Sequence, residues 1–227
     1  MQEHHLAVQR TARYYTLGGG GAAPPAEVWI ACHGYGQLAR RFLRAFEPVA
    51  GPHRLVVAPE ALSRFYLDDA LKVHGPDSRV GATWMTREDR LAEIDDYVRY
   101  LDRVHDVVRG AAPGEAARLV AFGFSQGAAT ASRWAALGTA QPDHLILWCS
   151  LLPPDLDPEA PARWAARGLA VTLVVGRGDS FTPPERVAEQ ERRLHEAGVE
   201  CRVVWFDGGH ELGADMLREV TESIGRG

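Results

Sequence analysis

Lysine is almost absent from this 227-residue chain: Lys72 is the only one, and arginine carries the rest of the basic charge. Lys and Arg together number 25 against 30 acidic residues, a formal net charge of −5. A basic footprint for nucleic acid is therefore missing at whole-chain level, and no nucleic-acid partner is expected. Long apolar runs are missing too. Stretches such as Leu119–Phe124 and Ala170–Val175 fall far short of the roughly 20 residues that span a bilayer, so no integral membrane segment is expected. The first residues, MQEHHLAVQR, lack a charged-then-apolar leader pattern. Cysteine is sparse: Cys32, Cys149 and Cys201 form an odd set, each in or beside an apolar run, with no CxxC or other metal-ligand spacing. Three reduced thiols, no metal, no organic cofactor and a cytoplasmic location are the expectations. Repeats and low-complexity linkers are also lacking. With 46% hydrophobic and 24% charged residues, the composition excludes a disordered or fibrous chain and fits a single domain over 1–227.

What is present is an alternation of apolar strands and amphipathic helices. His5–Gln9 and Arg13–Leu17 read as a hairpin of edge strands. Strands are then expected at Val28–His33, Arg54–Ala58, Arg118–Phe124, His144–Cys149, Ala170–Gly176 and Glu200–Phe206. Helices are expected at Gln37–Ala50, Arg87–Arg109, Gln126–Leu137, Arg163–Arg167, Pro184–Ala197 and Glu211–Ile224. Arg87–Arg109 is the clearest, with Leu91, Ile94, Tyr97, Val98, Leu101, Val104 and Val108 at 3–4 residue spacing and Thr86 as its N-cap. Continuous apolar strands alternating with helices imply an α/β fold: a mostly parallel sheet covered on both faces, with its site at the carboxyl ends of the strands. Residues 60–86 break the alternation as a long connection of little periodicity, the kind of segment that forms a binding loop or lid.

The sharpest motif is Gly123-Phe124-Ser125-Gln126-Gly127. The G-x-S-x-G pattern alone is weak. Here an apolar strand enters it and an Ala-rich helix leaves it, which is the context a nucleophile elbow requires. Ser125 is the candidate nucleophile, and it needs a base. Downstream lie His144, His195 and His210. His144 enters a strand and His195 lies within a helix, whereas His210 sits in a loop just after the last strand and is preferred. For the acid that orients the histidine, Asp179 follows strand Ala170–Gly176 on a loop; Asp155 and Asp157, one strand earlier, are rivals. Oxyanion donors are expected at the backbone N–H of Gln126 and, from His33-Gly34-Tyr35-Gly36, at Tyr35 with Gly36 second.

With HGYG at 33–36, GFSQG at 123–127, SLLP at 150–153, GxxDxxTP at 176–183 and GGH at 208–210, the chain resembles the α/β-hydrolase superfamily. Within it, the chain is similar to the small phospholipase/carboxylesterase group that includes acyl-protein thioesterase-like enzymes. The resemblance implies an α/β-hydrolase fold, Ser125, Asp179 and His210 as a triad, Tyr35 and Gln126 amides as oxyanion hole, and pairing as a homodimer. The neighbouring dienelactone hydrolases carry Cys where this chain has Ser125, which argues against that activity. The expected reaction is hydrolysis of a small-molecule carboxylic ester or thioester through an acyl-enzyme. The competing readings are an acyltransferase or peptidase on the same triad, and a non-catalytic binding protein on the same fold. Phe65, Tyr66, Trp84, Met85, Leu151, Leu152 and Phe181 are the candidate lining of the acyl pocket, all on loops expected near strand carboxyl ends.

Overall fold

Strand residues alternate their side chains between the two faces of a sheet, so a run that is apolar throughout must be covered twice. The computed structural model describes residues 1–68, 73–111 and 117–224 and shows this arrangement. Its strands are β1 (Tyr14–Gly18), β2 (Glu27–Cys32), β3 (Arg54–Pro59), β4 (Ser63–Tyr66), β5 (Val80–Thr83), β6 (Arg118–Phe124), β7 (His144–Trp148), β8 (Ala170–Gly176) and β9 (Cys201–Phe206). Its helices are α1 (Ala39–Phe42), α2 (Arg90–Ala111), α3 (Gln126–Leu137), α4 (Ala160–Ala166), α5 (Pro184–Glu196) and α6 (Ala214–Ile224). Seven strands form one sheet in the order β1-β3-β2-β6-β7-β8-β9. All neighbours in it run parallel except β1, which pairs antiparallel with β3 from Tyr14↔Pro59 to Gly18↔Leu55. In β2, Val28, Ile30 and Cys32 enter one apolar cluster with α2, α3 and α5, while Trp29 and Ala31 enter the other with Phe42, Phe46 and α6. No helix among the described residues is long and apolar enough to cross a membrane.

Four expectations require correction. Residues 5–9 form no strand and are exposed, so β1 is the edge strand of the sheet and pairs with β3 alone. The helix expected over 37–50 shrinks to α1 and one 3₁₀ turn, Leu43–Phe46, where the backbone tightens; Pro48, just beyond, has no N–H to donate back to Arg44 O. Thr86 does not cap α2. The helix starts at Arg90, the Thr86 hydroxyl accepts the Glu88 N–H at 3.2 Å, and the Glu93 carboxylate reaches back to the Thr86 N–H at 2.6 Å. Finally, the long connection is structured. It holds the antiparallel hairpin β4–β5, although residues 69–72, Lys72 among them, lie outside the described residues.

That hairpin is fastened to the loop after β2. Gly36 N–H donates to Ala82 O at 2.9 Å, and Ala82 N–H donates to Gln37 O at 3.2 Å. The approach is so close that a Cβ on Gly81 would stand 2.4 Å from Gly36 O. The loops following β2, β6, β8 and β9 thus gather at one end of the sheet, with the hairpin bound to the first of them.

Candidate active site

Ser125 follows β6 directly and begins α3. Its backbone sits at φ 55°, ψ −119°, a conformation that side-chain-bearing residues rarely adopt and that costs about 1–3 kcal/mol. Strand and helix pack too closely for side chains on either flank. A Cβ on Gly123 would stand 2.2 Å from Gly127 O, and one on Gly127 would stand 2.1 Å from Cys32 O. The strained turn is therefore held by the sheet on one side and the helix on the other, and the Ser125 N–H is taken by Trp148 O at 2.9 Å.

His210 lies in the loop between β9 and α6, which is why α6 starts at Ala214 and not at the expected Glu211. This loop is laced to the one after β8: Arg177 N–H donates to Phe206 O and Gly178 N–H to Gly208 O, both at 2.9 Å. Asp179 is thereby brought under the imidazole. Its carboxylate is an acceptor only, so His210 Nδ1 carries the proton and donates to Asp179 Oδ2 at 2.9 Å. Nε2 is then free to accept, and the Ser125 hydroxyl donates to it at 2.8 Å. The second carboxylate oxygen of Asp179 accepts the Phe181 N–H at 2.9 Å. Burial of this carboxyl works to raise its pKa, but the hydrogen bonds from His210 and Phe181 outweigh burial and hold it below the usual carboxylate value.

The other candidates are occupied elsewhere. Asp155 is ion-paired with Arg90 and Arg133, and Asp157 with Arg163. His144 is buried between Arg118 and Thr172, and His195 bonds the Cys201 carbonyl at 3.0 Å. Of the two backbone donors considered after β2, the Gly36 N–H is spent on Ala82. Among the described residues, no protein acceptor takes the N–H of Tyr35 or of Gln126.

The sequence profile of a family described as serine hydrolase (FSH1) matches residues 33–215, a span that takes in Ser125, Asp179 and His210. The chain belongs to this family. No curated protein sequence matches this serine hydrolase significantly. Solved structures do match over nearly its whole length. Esterase PE8 is 21% identical with a TM-score of 0.69, covering 96% of this chain and 99% of its own. Acyl-protein thioesterase 2 of Zea mays is 17% identical with a TM-score of 0.68, covering 95% and 99%. A carboxylesterase from Mesorhizobium loti is 19% identical with a TM-score of 0.69, covering 93% and 94%. At these identities the likeness shows the α/β-hydrolase fold alone.

The expected pocket residues of the serine hydrolase divide into groups. Phe181 is 69% exposed, with its ring 4.8 Å from that of His210. Phe65 packs at a tilt against Tyr35 at 5.1 Å, and Tyr66 stacks on His74 at 3.9 Å, on the hairpin side. Leu151 and Leu152 line a groove of about 480 Å³ with Pro153, Leu156 and Leu194; none of Ser125, Asp179 and His210 lines it. Trp84 belongs to the core: it is 2% exposed, and its indole N–H donates to His33 O at 2.8 Å. Met85 packs against the same core cluster.

The Gln126 side chain is a site feature that sequence reading missed, having credited only its amide. Its Nε2 donates to Thr83 Oγ1 and Met85 O, both at 2.9 Å, and its Oε1 accepts the Trp84 N–H at 3.2 Å. A long polar side chain in the first turn of an otherwise Ala-rich helix was the available signal. Two groups of metal-donor residues converge among the described residues. Glu3, His5 and Asp89 are exposed. Cys149, Asp179 and His210 are the other group; there burial pushes the thiol up to about 12, and the carboxylate and imidazole are bonded to each other.

Proposed function

We propose that the protein hydrolyses carboxylic esters of small to medium acyl chains through an acyl-enzyme on Ser125. The observation that carries this reading is the unbroken relay from Ser125 Oγ through His210 to Asp179, at 2.8 and 2.9 Å, on a strained strand-to-helix turn. His210 Nε2 takes the hydroxyl proton as Oγ attacks the carbonyl carbon. The tetrahedral oxyanion is received by the N–H groups of Tyr35 and Gln126, which have no protein acceptor among the described residues. The imidazolium, stabilised by Asp179, then gives its proton to the leaving alkoxide. Water repeats the sequence on the acyl-enzyme and regenerates Ser125. General-base transfer is worth about 10²–10⁴-fold, and each oxyanion donor about 10²–10³-fold.

The same relay serves a thioester, whose leaving thiolate needs less proton assistance. The exposed ring of Phe181 against His210 and the Tyr35–Phe65 pair offer apolar surface to the acyl chain. The three free cysteines suit a reducing, cytoplasmic setting.

The test is a series of p-nitrophenyl esters from two to sixteen carbons, with wild type and Ser125→Ala compared, alongside fluorophosphonate labelling. Wild-type turnover that collapses at least about 10³-fold in the variant, with labelling confined to wild type, is expected. Equal background rates in both proteins, with no labelling, would overturn the reading and leave a binding role on a hydrolase fold. Transfer of the acyl group to added alcohols or amines in preference to water would make the enzyme an acyltransferase.

A further inference from the structure

We propose that the corner Trp148–Cys149, at the end of β7, is a positioning device that sets the spacing between Ser125 and His210. This rests on the Ser125–His210–Asp179 reading above. The two residues it spaces belong to loops after β6 and β9, and in the sheet these strands are separated by β7 and β8. β6 and β9 share no ladder of their own, only the chain of ladders through β7 and β8, and the hydrogen bond between the two residues needs their separation held to a few tenths of an ångström.

Trp148 spans that gap. Its carbonyl accepts the Ser125 N–H at 2.9 Å, and its indole N–H donates to Glu211 O at 2.8 Å, one residue beyond His210. Its ring packs at a tilt against Phe122 of β6 and Phe206 of β9, with both centroid distances 5.9 Å. It is fully buried. One side chain therefore touches the nucleophile's strand, the histidine's strand and the histidine's loop.

Cys149 adds a second tie. It is held at φ 52°, a left-handed conformation that usually falls to glycine, and its N–H is fixed to Val174 O of β8 at 2.8 Å. This conformation aims the buried thiol at the carbonyls on both sides of His210: Sγ lies 3.5 Å from Glu211 O and 3.7 Å from Gly209 O. The thiol stays protonated, as burial raises its pKa, so it remains a donor and adds no negative charge beside Asp179. A site that keeps a costly backbone conformation on a residue with a donor side chain, where glycine would be unstrained, points to use of that side chain.

The test uses Trp148→Phe, which keeps an aromatic ring in the stack but removes the indole N–H. It also uses Cys149→Ala and Cys149→Ser, the first removing the donor and the second restoring one. We expect Trp148→Phe to lower kcat and the second-order rate of fluorophosphonate inactivation together, by roughly 10–100-fold, with KM within about twofold. Cys149→Ala should lose about three- to tenfold in kcat at an unchanged thermal midpoint, and Cys149→Ser should recover most of it. Losses that appear in KM alone, or that track thermal destabilisation in all three variants, overturn the proposal. If Trp148→Phe fails to fold, the Ala/Ser pair decides. Ser125→Ala in parallel separates the two claims. An active Ser125→Ala overturns the triad. An inactive one, beside positioning variants with wild-type kcat, overturns this inference alone.

Discussion

A Cβ added to Gly127 would stand 2.1 Å from the carbonyl oxygen of Cys32. Both are backbone positions, one in the first turn of α3 and the other at the end of β2, so neither can swing aside. Gly127→Ala is therefore expected to force the helix away from the sheet. We expect a destabilisation above about 2 kcal/mol, in the range of an overpacked core, together with a large loss of activity. Thermal unfolding of the purified variant checks this; a midpoint equal to wild type would show that the elbow accommodates a methyl group.

Asp179 accepts two hydrogen bonds, from His210 Nδ1–H and from the Phe181 N–H. In Asp179→Asn, the amide oxygen can keep the Phe181 bond, and its NH₂ then faces Nδ1. That geometry selects the tautomer with the proton on Nε2, which cannot take the Ser125 proton. A fall in kcat of about 10³–10⁴-fold is expected, with little change in stability. Steady-state kinetics and thermal unfolding on the same preparation check it, and a loss below tenfold would contradict the assigned role.

The Gln126 amide and its side chain have separable duties. Gln126→Ala keeps the backbone N–H but releases Thr83, Trp84 and Met85, which the carboxamide holds together. The segment behind the β4–β5 hairpin then loses three hydrogen bonds, each worth about 0.5–1.5 kcal/mol. Faster proteolytic cleavage around 83–86 and a lower thermal midpoint are expected, while catalysis of a short acetyl ester persists. Protease mapping by mass spectrometry provides the check.

His144 supplies a pH dependence unconnected with catalysis. Arg118 donates to its Nδ1 at 3.2 Å, so Nε2 carries the proton toward Thr172 Oγ1 at 2.9 Å. Burial, with Arg118 adding to it, lowers the pKa to about 4. The unfolded chain, with an ordinary histidine pKa of about 6.5, binds the proton first as pH falls. Stability from this neutral histidine is thus complete above about pH 6.5 and is lost progressively toward pH 4, by up to roughly 3 kcal/mol. Urea unfolding of wild type and His144→Gln at pH 7.5, 6 and 4.5 tests this: the slope of stability against pH should be shallower in the variant.

Much of this was legible in the sequence because it depends on local pattern. GFSQG between an apolar strand and an Ala-rich helix announces the elbow, and the order Ser125, Asp179, His210 follows the order of the strands that carry them. What escaped depends on contacts between distant segments. Nothing local marks Trp84 as core; its burial follows from the hairpin folding back over the loop after β2. The hairpin itself was hidden because β4 and β5 are four residues each, and Gly81 matters through a neighbour 45 positions earlier, Gly36. The apolar spacing of Leu38, Phe42 and Phe46 suits a continuous helix and carries no trace of the tightening to 3₁₀ at Leu43. Cys149 offers no signal, since a left-handed backbone at a cysteine has no compositional trace.

The hydrogen bond between Ser125 and His210 closes a loop of 85 positions, and β9, the strand that leads into the histidine loop, comes after β6, β7 and β8 in chain order. Until β9 docks on β8, Ser125 has no base. In the proposed mechanism a chain clipped before His210 therefore leaves Ser125 without its base, and hydrolysis requires the assembled sheet. On that proposal, activity reads out finished folding through the order of the strands.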